Sequence, residues 1–258
     1  MKISDSMIFK TLEVAQLASD MISSKFNDTH KIEKKGTVDL VTEVDLASEK
    51  LIKQELAKRF PHIPFHGEEG GGNDWRSGEI WVVDPIDGTT NFANRLRHFA
   101  VSIALCRDGE PVLGVVTNPM TKELFHSSLG GGAFLNNSPI KVSSVTNLDD
   151  ALAATGLPYN RRENMQIIID RLRAVLMRVA DVRRFGSAAL DLCYVAQGIY
   201  SIFWEQNLKP WDIAAGTLLV KEAGGKISKM NGDKMLLDSN EILATNTILH
   251  KECIDLLA

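Results

Sequence analysis

The chain has 258 residues, enough for one large domain or two small ones with a sizeable core. Hydrophobic residues make up 44% and charged residues 24%, a soluble globular balance that excludes a fibrous or disordered chain. A net charge of -4, from 29 basic and 33 acidic residues with no basic block longer than a pair, argues against a nucleic-acid surface.

In chain order, Ile8, Leu12, Ala15, Ala18 and Ile22 recur at helical spacing and predict an amphipathic helix over residues 6–26. Asp5 and Glu13 interrupt its apolar residues, so it has no signal-peptide pattern, and no apolar run approaches the ~20 residues of a membrane span. A loop, Lys34-Lys35-Gly36-Thr37-Val38-Asp39, then feeds a second helix that begins near Asp45 and ends at Arg59, before Pro61. An acid in a first turn ordinarily complements the helix dipole, and Asp45 taken alone does no more than that. Residues 63–67 form a short strand ending in Glu68-Glu69, and Gly70-Gly71-Gly72 reads as a flexible turn. Adjacent side chains on an extended segment point opposite ways, so only one of the two acids can face a given site.

The stretch around which the rest is organised runs from Trp81 to Phe92. The apolar run at 80–83 reads as a buried strand that stops at Asp84-Pro85-Ile86-Asp87-Gly88. Pro85 cannot continue a ladder and Gly88 permits a sharp turn, so Asp84, the Ile86 carbonyl and Asp87 can converge on one point beyond the strand. Thr89, Thr90 and Asn91 can cap a following helix whose N–H groups face that point, so a divalent cation and a phosphate could share it.

Residues 97–105, 111–118 and 122–127 read as strands joined by tight turns, an antiparallel meander, with a plain turn at Gly130-Gly131-Gly132 before a strand at 133–135. From about residue 150 the pattern becomes alternating strand and helix, which suggests an α/β layer: a strand at 151–155, a helix at 163–178, and a helix from Gly186-Ser187 through Val195. A strand at 200–204 closes on Glu205, and Lys209-Pro210-Trp211-Asp212 starts another helix, where Asp212 alone reads as a capping acid. Strands at 225–230 and 242–245 and a final helix complete the chain. Cys106, Cys193 and Cys253 form no Cys-x-x-Cys pair, so neither a disulfide framework nor a zinc ribbon is indicated, and a cytoplasmic location is expected.

Asp84-Pro-Ile-Asp-Gly-Thr-Thr-Asn-Phe92 after a buried strand resembles the signature of the inositol monophosphatase family, within the lithium-sensitive, magnesium-dependent phosphomonoesterases. Three further segments resemble the family in its order: Val38-Asp-Leu-Val-Thr-x-x-Asp45, Gly67-Glu-Glu69 and Trp211-Asp-x-Ala-x-Gly216. The resemblance spans nearly the whole chain. It implies a single domain over 1–258, an α+β fold layered αβαβα with two β-sheets. The part to about residue 148 would hold an antiparallel sheet and the metal site, and the part from 149 would be α/β.

The resemblance also implies roles. Glu68, Asp84 and the Ile86 carbonyl would hold one Mg²⁺, and Asp84, Asp87 and Asp212 a second, ~3.5 to 4 Å away, with a third near Glu68. Oxygen-only ligands suit magnesium, and five acids without basic neighbours in sequence cannot all stay ionised unless cations hold them. Asp45 and Thr89 would help to deprotonate the attacking water, so the catalytic set is Asp45, Glu68 and Thr89. Asp87, Gly88, Thr89, Thr90, Gly186, Ser187, Ala188, Glu205 and Asp212 would meet substrate, with Arg184 a further candidate. Lys34, Lys35, Gly36 and Asp39 would belong to a mobile loop closing over the metals. The expected reaction is hydrolysis of myo-inositol 1-phosphate, with fructose 1,6-bisphosphate, NADP or histidinol phosphate as alternative substrates. The expected assembly is a homodimer that binds no nucleic acid or membrane. A reading of another class is a non-catalytic protein that keeps the fold and acts by association with a larger assembly.

Overall fold

The computed structural model describes residues 3–34 and 40–258. Helix α1 (Asp5–Lys25) starts at Ser4, whose hydroxyl accepts the Met7 N–H, and it turns Val14, Ala15, Ala18 and Ile22 inward. Strands β1 (Ile32–Lys34) and β2 (Leu40–Thr42) make an antiparallel ribbon that the sequence did not announce. Helix α2 (Glu43–Arg59) opens on a capping box: Thr42 Oγ1 accepts the Val44 N–H, and Asp45 Oδ2 accepts the Thr42 N–H.

The larger sheet comprises β3 (Phe65–Gly67), β4 (Gly71–Gly72), β5 (Glu79–Asp87), β6 (Ala100–Arg107), β7 (Glu110–Asn118), β8 (Glu123–Ser128), β9 (Gly132–Leu135) and β10 (Ser138–Pro139), with a short helix α3 (Thr89–Ala93) after β5. Its strand order is β10-β9-β8-β7-β6-β5-β3-β4. From β5 to β10 it is the antiparallel meander expected, but β3 joins β5 in parallel, with Gly67 opposite Val83. The expectation of a wholly antiparallel sheet is corrected by that pair, and the reason bears on the site. Parallel strands end at the same edge, so Glu68 and Asp84 emerge side by side.

Strand β5 does not stop at Asp84. It runs through Pro85 to Asp87 because its pairing with β6 is bulged between Asp84 and Asp87, and a bulged residue needs no ladder partner. Its two faces are both buried, Ile80 and Val82 toward one layer and Trp81 and Val83 toward another, which explains the unbroken apolar run.

The second sheet is built from β11 (Leu152–Thr155), helix α4 (Met165–Leu176), β12 (Asp181–Arg183), helix α5 (Ala188–Ala196), β13 (Ile202–Gln206), helix α6 (Pro210–Glu222), β14 (Lys226–Ser228), β15 (Glu241–Thr245) and helix α7 (His250–Leu257). Its strand order is β12-β11-β13-β15-β14, with β11 parallel to both neighbours and β15 antiparallel to both of its own.

Three buried clusters define the layers. Ile22 and Ile52 of α1 and α2 pack on Trp81 and Val83. Leu192 of α5 and Leu219 of α6 fill the space between the sheets, against Val82 and Phe203. Val175 of α4 and Leu257 of α7 cover Trp204 and Leu243 on the far face of the second sheet. The order is αβαβα. Among the described residues no helix is long and apolar enough to cross a membrane, and all three cysteines are buried and free.

Candidate metal centre and active site

Asp84 and Asp87 flank the β5 bulge, and Asp212 arrives from the first turn of α6, where Pro210 supplies the first helical position. One carboxylate oxygen from each of the three lies within 4.8 Å of the others. Each acid has one oxygen anchored by its own surroundings. Asp84 Oδ1 accepts the Ile86 N–H at 2.9 Å, and Asp212 Oδ2 accepts the Lys209 N–H at 2.7 Å. Asp87 Oδ2 accepts the Ser187 hydroxyl at 2.5 Å and the Ala189 N–H at 2.8 Å.

Such a cluster is electrostatically unfavourable by itself. Burial first, and then Glu68, Asp87 and Asp212, push the Asp84 carboxyl well above the usual carboxylate range. Burial and Asp87 do the same to Asp212. Asp87 is lifted by burial to about 6, against the Ser187 hydroxyl and the Ala188 and Ala189 amides, which favour its ionised form. Among the causes acting on Asp84 there is no positive group, so the set fits a hard divalent cation, for which all-oxygen, anionic donors are the right chemistry.

Glu68 lies outside the tight trio but reaches Asp84, with which it shares a hydrogen bond. Thr89 Oγ1 lies 3.0 Å from the Ile86 carbonyl and 2.9 Å from Asp45 Oδ1, so its one proton has two acceptors within reach. Asp45 is fully buried, its other oxygen held by the Thr42 N–H and hydroxyl, and burial raises its carboxyl above the ordinary value. Thus Asp45 stands behind Thr89 rather than in the cavity.

Beyond the acids opens a cavity of about 570 Å³ lined by Glu68, Asp84, Ile86, Asp87, Gly88, Thr89, Thr90 and Asn91 on one side. Arg184, Gly186, Ala188, Glu205 and Asp212 line the other, while Tyr159 and Arg161 of the segment between β11 and α4, and Lys209, complete the wall. Two expected contacts are placed differently. Ser187, expected against substrate, is buried behind Asp87 and caps α5 by accepting the Leu190 N–H, so it orients Asp87 instead. Asn91 does not cap α3; its Nδ2 donates to the carbonyls of His98 (2.6 Å) and Phe185 (2.7 Å), tying the turn to the loop between β12 and α5. Gly88, in a left-handed conformation at φ 97, is the N-cap of this five-residue helix. Of the expected mobile loop, Lys34 ends β1, and Lys35, Gly36 and Asp39 lie outside the described residues.

Some residues that shape the site carry no sequence signal. Glu205 fits only because position 156 is glycine: a Cβ there would lie 2.0 Å from the Glu205 carboxyl. Gly156→Ala therefore displaces Glu205, and steady-state kinetics should show KM rising roughly tenfold with kcat changed by less than about threefold, the signature of lost binding rather than lost chemistry.

Asp191 on α5 is fully buried, and neither carboxylate oxygen meets a hydrogen-bond donor among the described residues. Burial, then Asp87, push its carboxyl well above the ordinary 3.8, against the pull of Arg184. A raised carboxyl stabilises nothing below its unfolded value and is increasingly costly as pH rises toward its folded one. Asp191→Asn should accordingly raise the melting temperature in chelator at pH 8 by roughly 2–4 °C or more, and by much less at pH 4 to 5.

Comparison with known proteins bears on the same residues. The inositol monophosphatase family model matches residues 4–258. The chain is 40% identical over 254 residues to inositol-1-monophosphatase of Caulobacter vibrioides, covering 95% of this chain and 98% of that one. It is 41% identical over 248 residues to Nus factor SuhB of Pseudomonas aeruginosa, covering 93% and 92%. The crystal structure of extragenic suppressor protein suhB from Bartonella henselae superposes with a TM-score of 0.94 at 37% identity, covering 98% of both chains. With the family model matched from the first turn of α1 to the last residue, and a buried acid trio on an αβαβα frame, the chain belongs to the inositol monophosphatase family and is a phosphoric monoester hydrolase.

Proposed function

We propose that the protein is a magnesium-dependent phosphomonoesterase acting on a small polyol phosphate, most simply myo-inositol 1-phosphate. The observation that carries this reading is the Asp84, Asp87 and Asp212 trio, with its oxygens within 4.8 Å, at the floor of a cavity that also holds Thr89 and Glu205. Glu68, Asp84 and the Ile86 carbonyl would hold one ion, and Asp84, Asp87 and Asp212 another, with a third near Glu68. When bound, the ions neutralise the acids, polarise the phosphoryl oxygens and make water a better nucleophile.

The chain's own residues supply the proton path. Thr89 Oγ1 donates to Asp45 Oδ1, which leaves a hydroxyl lone pair free to accept from an attacking water while Asp45 takes the threonine proton. Burial suits Asp45 to that task, because it makes the carboxyl a stronger base than a surface acid. Glu205 offers an acceptor to polyol hydroxyls across the cavity, and Thr90 and Gly186 border the leaving group. The name of the Caulobacter relative supports an inositol phosphate as substrate. So does Thr90, a position at which related nucleotide and histidinol phosphatases commonly carry lysine. The test is phosphate release from inositol 1-phosphate, fructose 1,6-bisphosphate, NADP and histidinol phosphate, each with magnesium and with chelator. Magnesium-dependent release led by inositol 1-phosphate supports the proposal; release led by another ester replaces the substrate, and silence across the panel refutes it.

The name of the Pseudomonas relative favours a second role beside catalysis, as a Nus factor. Retention of the same partners by the chain before and after metal removal would support that role, and their absence would count against it. The homodimer that the family resemblance implies is tested by light scattering, and the monomer mass would remove it.

A further inference from the structure

One face of α2 holds three different ligand-bearing segments. Asp45, Ser48 and Glu49 stand at i, i+3 and i+4, and all three are buried. Asp45 receives the Thr89 hydroxyl, and Ser48 Oγ donates to the Pro85 carbonyl at 3.2 Å, inside the β5 bulge. Glu49 reaches across to the strand-end loop that carries Glu68. Its Oε2 accepts the Glu69 N–H and its Oε1 the Gly70 N–H, both at 2.7 Å.

A carboxylate at a core-facing helical position is costly unless its oxygens are satisfied, and here they are satisfied by two successive amides immediately after Glu68. The loop is moulded to this one side chain. A Cβ at Gly67 would lie 2.3 Å from Glu49 Oε2, and one at Gly70 would lie 2.8 Å from Oε1, so a side chain at either position would push the Glu49 carboxylate off its seat. On its other flank the Glu68 N–H donates to the Val83 carbonyl at 3.1 Å. The Glu68 backbone is thereby clamped between β5 and α2, and of these restraints only Glu49 comes from a side chain.

We propose that Glu49 is a positioning residue for the metal centre: its carboxylate, chelating the Glu69 and Gly70 amides, fixes Glu68 in register with Asp84 and so sets the affinity of the ion that Glu68 helps to hold. The proposal rests on the metal reading of the acid cluster. An amide cannot substitute, because Glu49→Gln would point an NH₂ at one of the two N–H groups. Outer partners of this kind typically change metal affinity 10- to 100-fold when lost.

The experiment is titration of the metal-free protein with Mn²⁺, followed by calorimetry and by the free-ion spin-resonance signal, for wild type, Glu49→Gln, Glu68→Gln and the double variant. Glu49→Gln should weaken one binding step roughly tenfold or more and leave the other within about threefold, and the double variant should bind no more weakly than Glu68→Gln alone, because the two act through one ligand. Gly70→Ala, which changes no charge, should weaken the same step and serves as the reading if Glu49→Gln does not fold. A lowered melting temperature with both Mn²⁺ steps unchanged, or losses that add in the double variant, would overturn the proposal alone. Wild-type protein that takes up no divalent ion would overturn the metal reading and this proposal with it.

Discussion

Asp84→Asn and Asp212→Asn should each reduce phosphate release by roughly a thousandfold, about 4 kcal/mol of transition-state stabilisation, with the fold unchanged. The size follows from the geometry. Each of the two acids has one oxygen committed to a backbone amide, Ile86 N–H for Asp84 and Lys209 N–H for Asp212, so an amide side chain can keep the structural hydrogen bond while losing the charge. The loss falls on the ion rather than on the scaffold. Circular dichroism should therefore superpose with wild type, and in chelator both variants should melt higher, because a carboxyl that burial and its neighbours push upward has been removed. Appreciable turnover in either pure variant would show that the trio is not the reaction centre.

Divalent metal should stabilise the protein more at alkaline than at acid pH. The sign follows from the direction of the shifts. Asp84, Asp87 and Asp212 all ionise later in the folded chain than in the unfolded one, so well below their unfolded value of 3.8 they are protonated in both states and cost nothing. As pH rises from there, the unfolded chain releases its protons first and the metal-free native state loses ground. Asp87 alone, lifted by burial from 3.8 to about 6, costs the metal-free native state stability once it is ionised. An ion neutralises that penalty and must displace fewer protons at high pH. With magnesium held at one concentration, about a hundred times its dissociation constant at pH 8, the melting temperature should rise by roughly 6–10 °C at pH 8 and by less than about half that at pH 5.5, where protons compete for the same carboxylates. Equal shifts at the two pH values would contradict the electrostatic picture of the cluster.

What the sequence made legible is what is encoded locally. The apolar run into Asp84, the convergence of Asp84 and Asp87 and the glycine turn at Gly88 all lie within a few residues, and the resemblance supplied the partnership of Asp45 with Thr89 across 44 positions. Pro85 was read as a terminator because proline lacks a ladder donor; the bulge that accommodates it depends on the neighbouring strand β6 and cannot be inferred from β5. The resemblance set the Gly186-Ser187-Ala188 turn against substrate; that the Ser187 hydroxyl meets Asp87, 100 residues away, depends on the approach of α5 to the bulge and has no local signal. Strand β12, Asp-Val-Arg, carries no alternation and exists because β11 offers it an edge. Glu49 looks like any helical acid until the Glu69 and Gly70 amides are seen on its two oxygens, and Asp191 looks like an ordinary first-turn acid until its burial is seen.

The most direct measurement is a magnesium titration of phosphate release from inositol 1-phosphate at pH 8, beginning with chelated protein. Release that is absent in chelator, rises saturably with magnesium and stays absent in Asp212→Asn is the expected result. Release that proceeds at the same rate in chelator, or that survives in Asp212→Asn, would contradict a divalent centre at Asp84, Asp87 and Asp212 as the source of the activity.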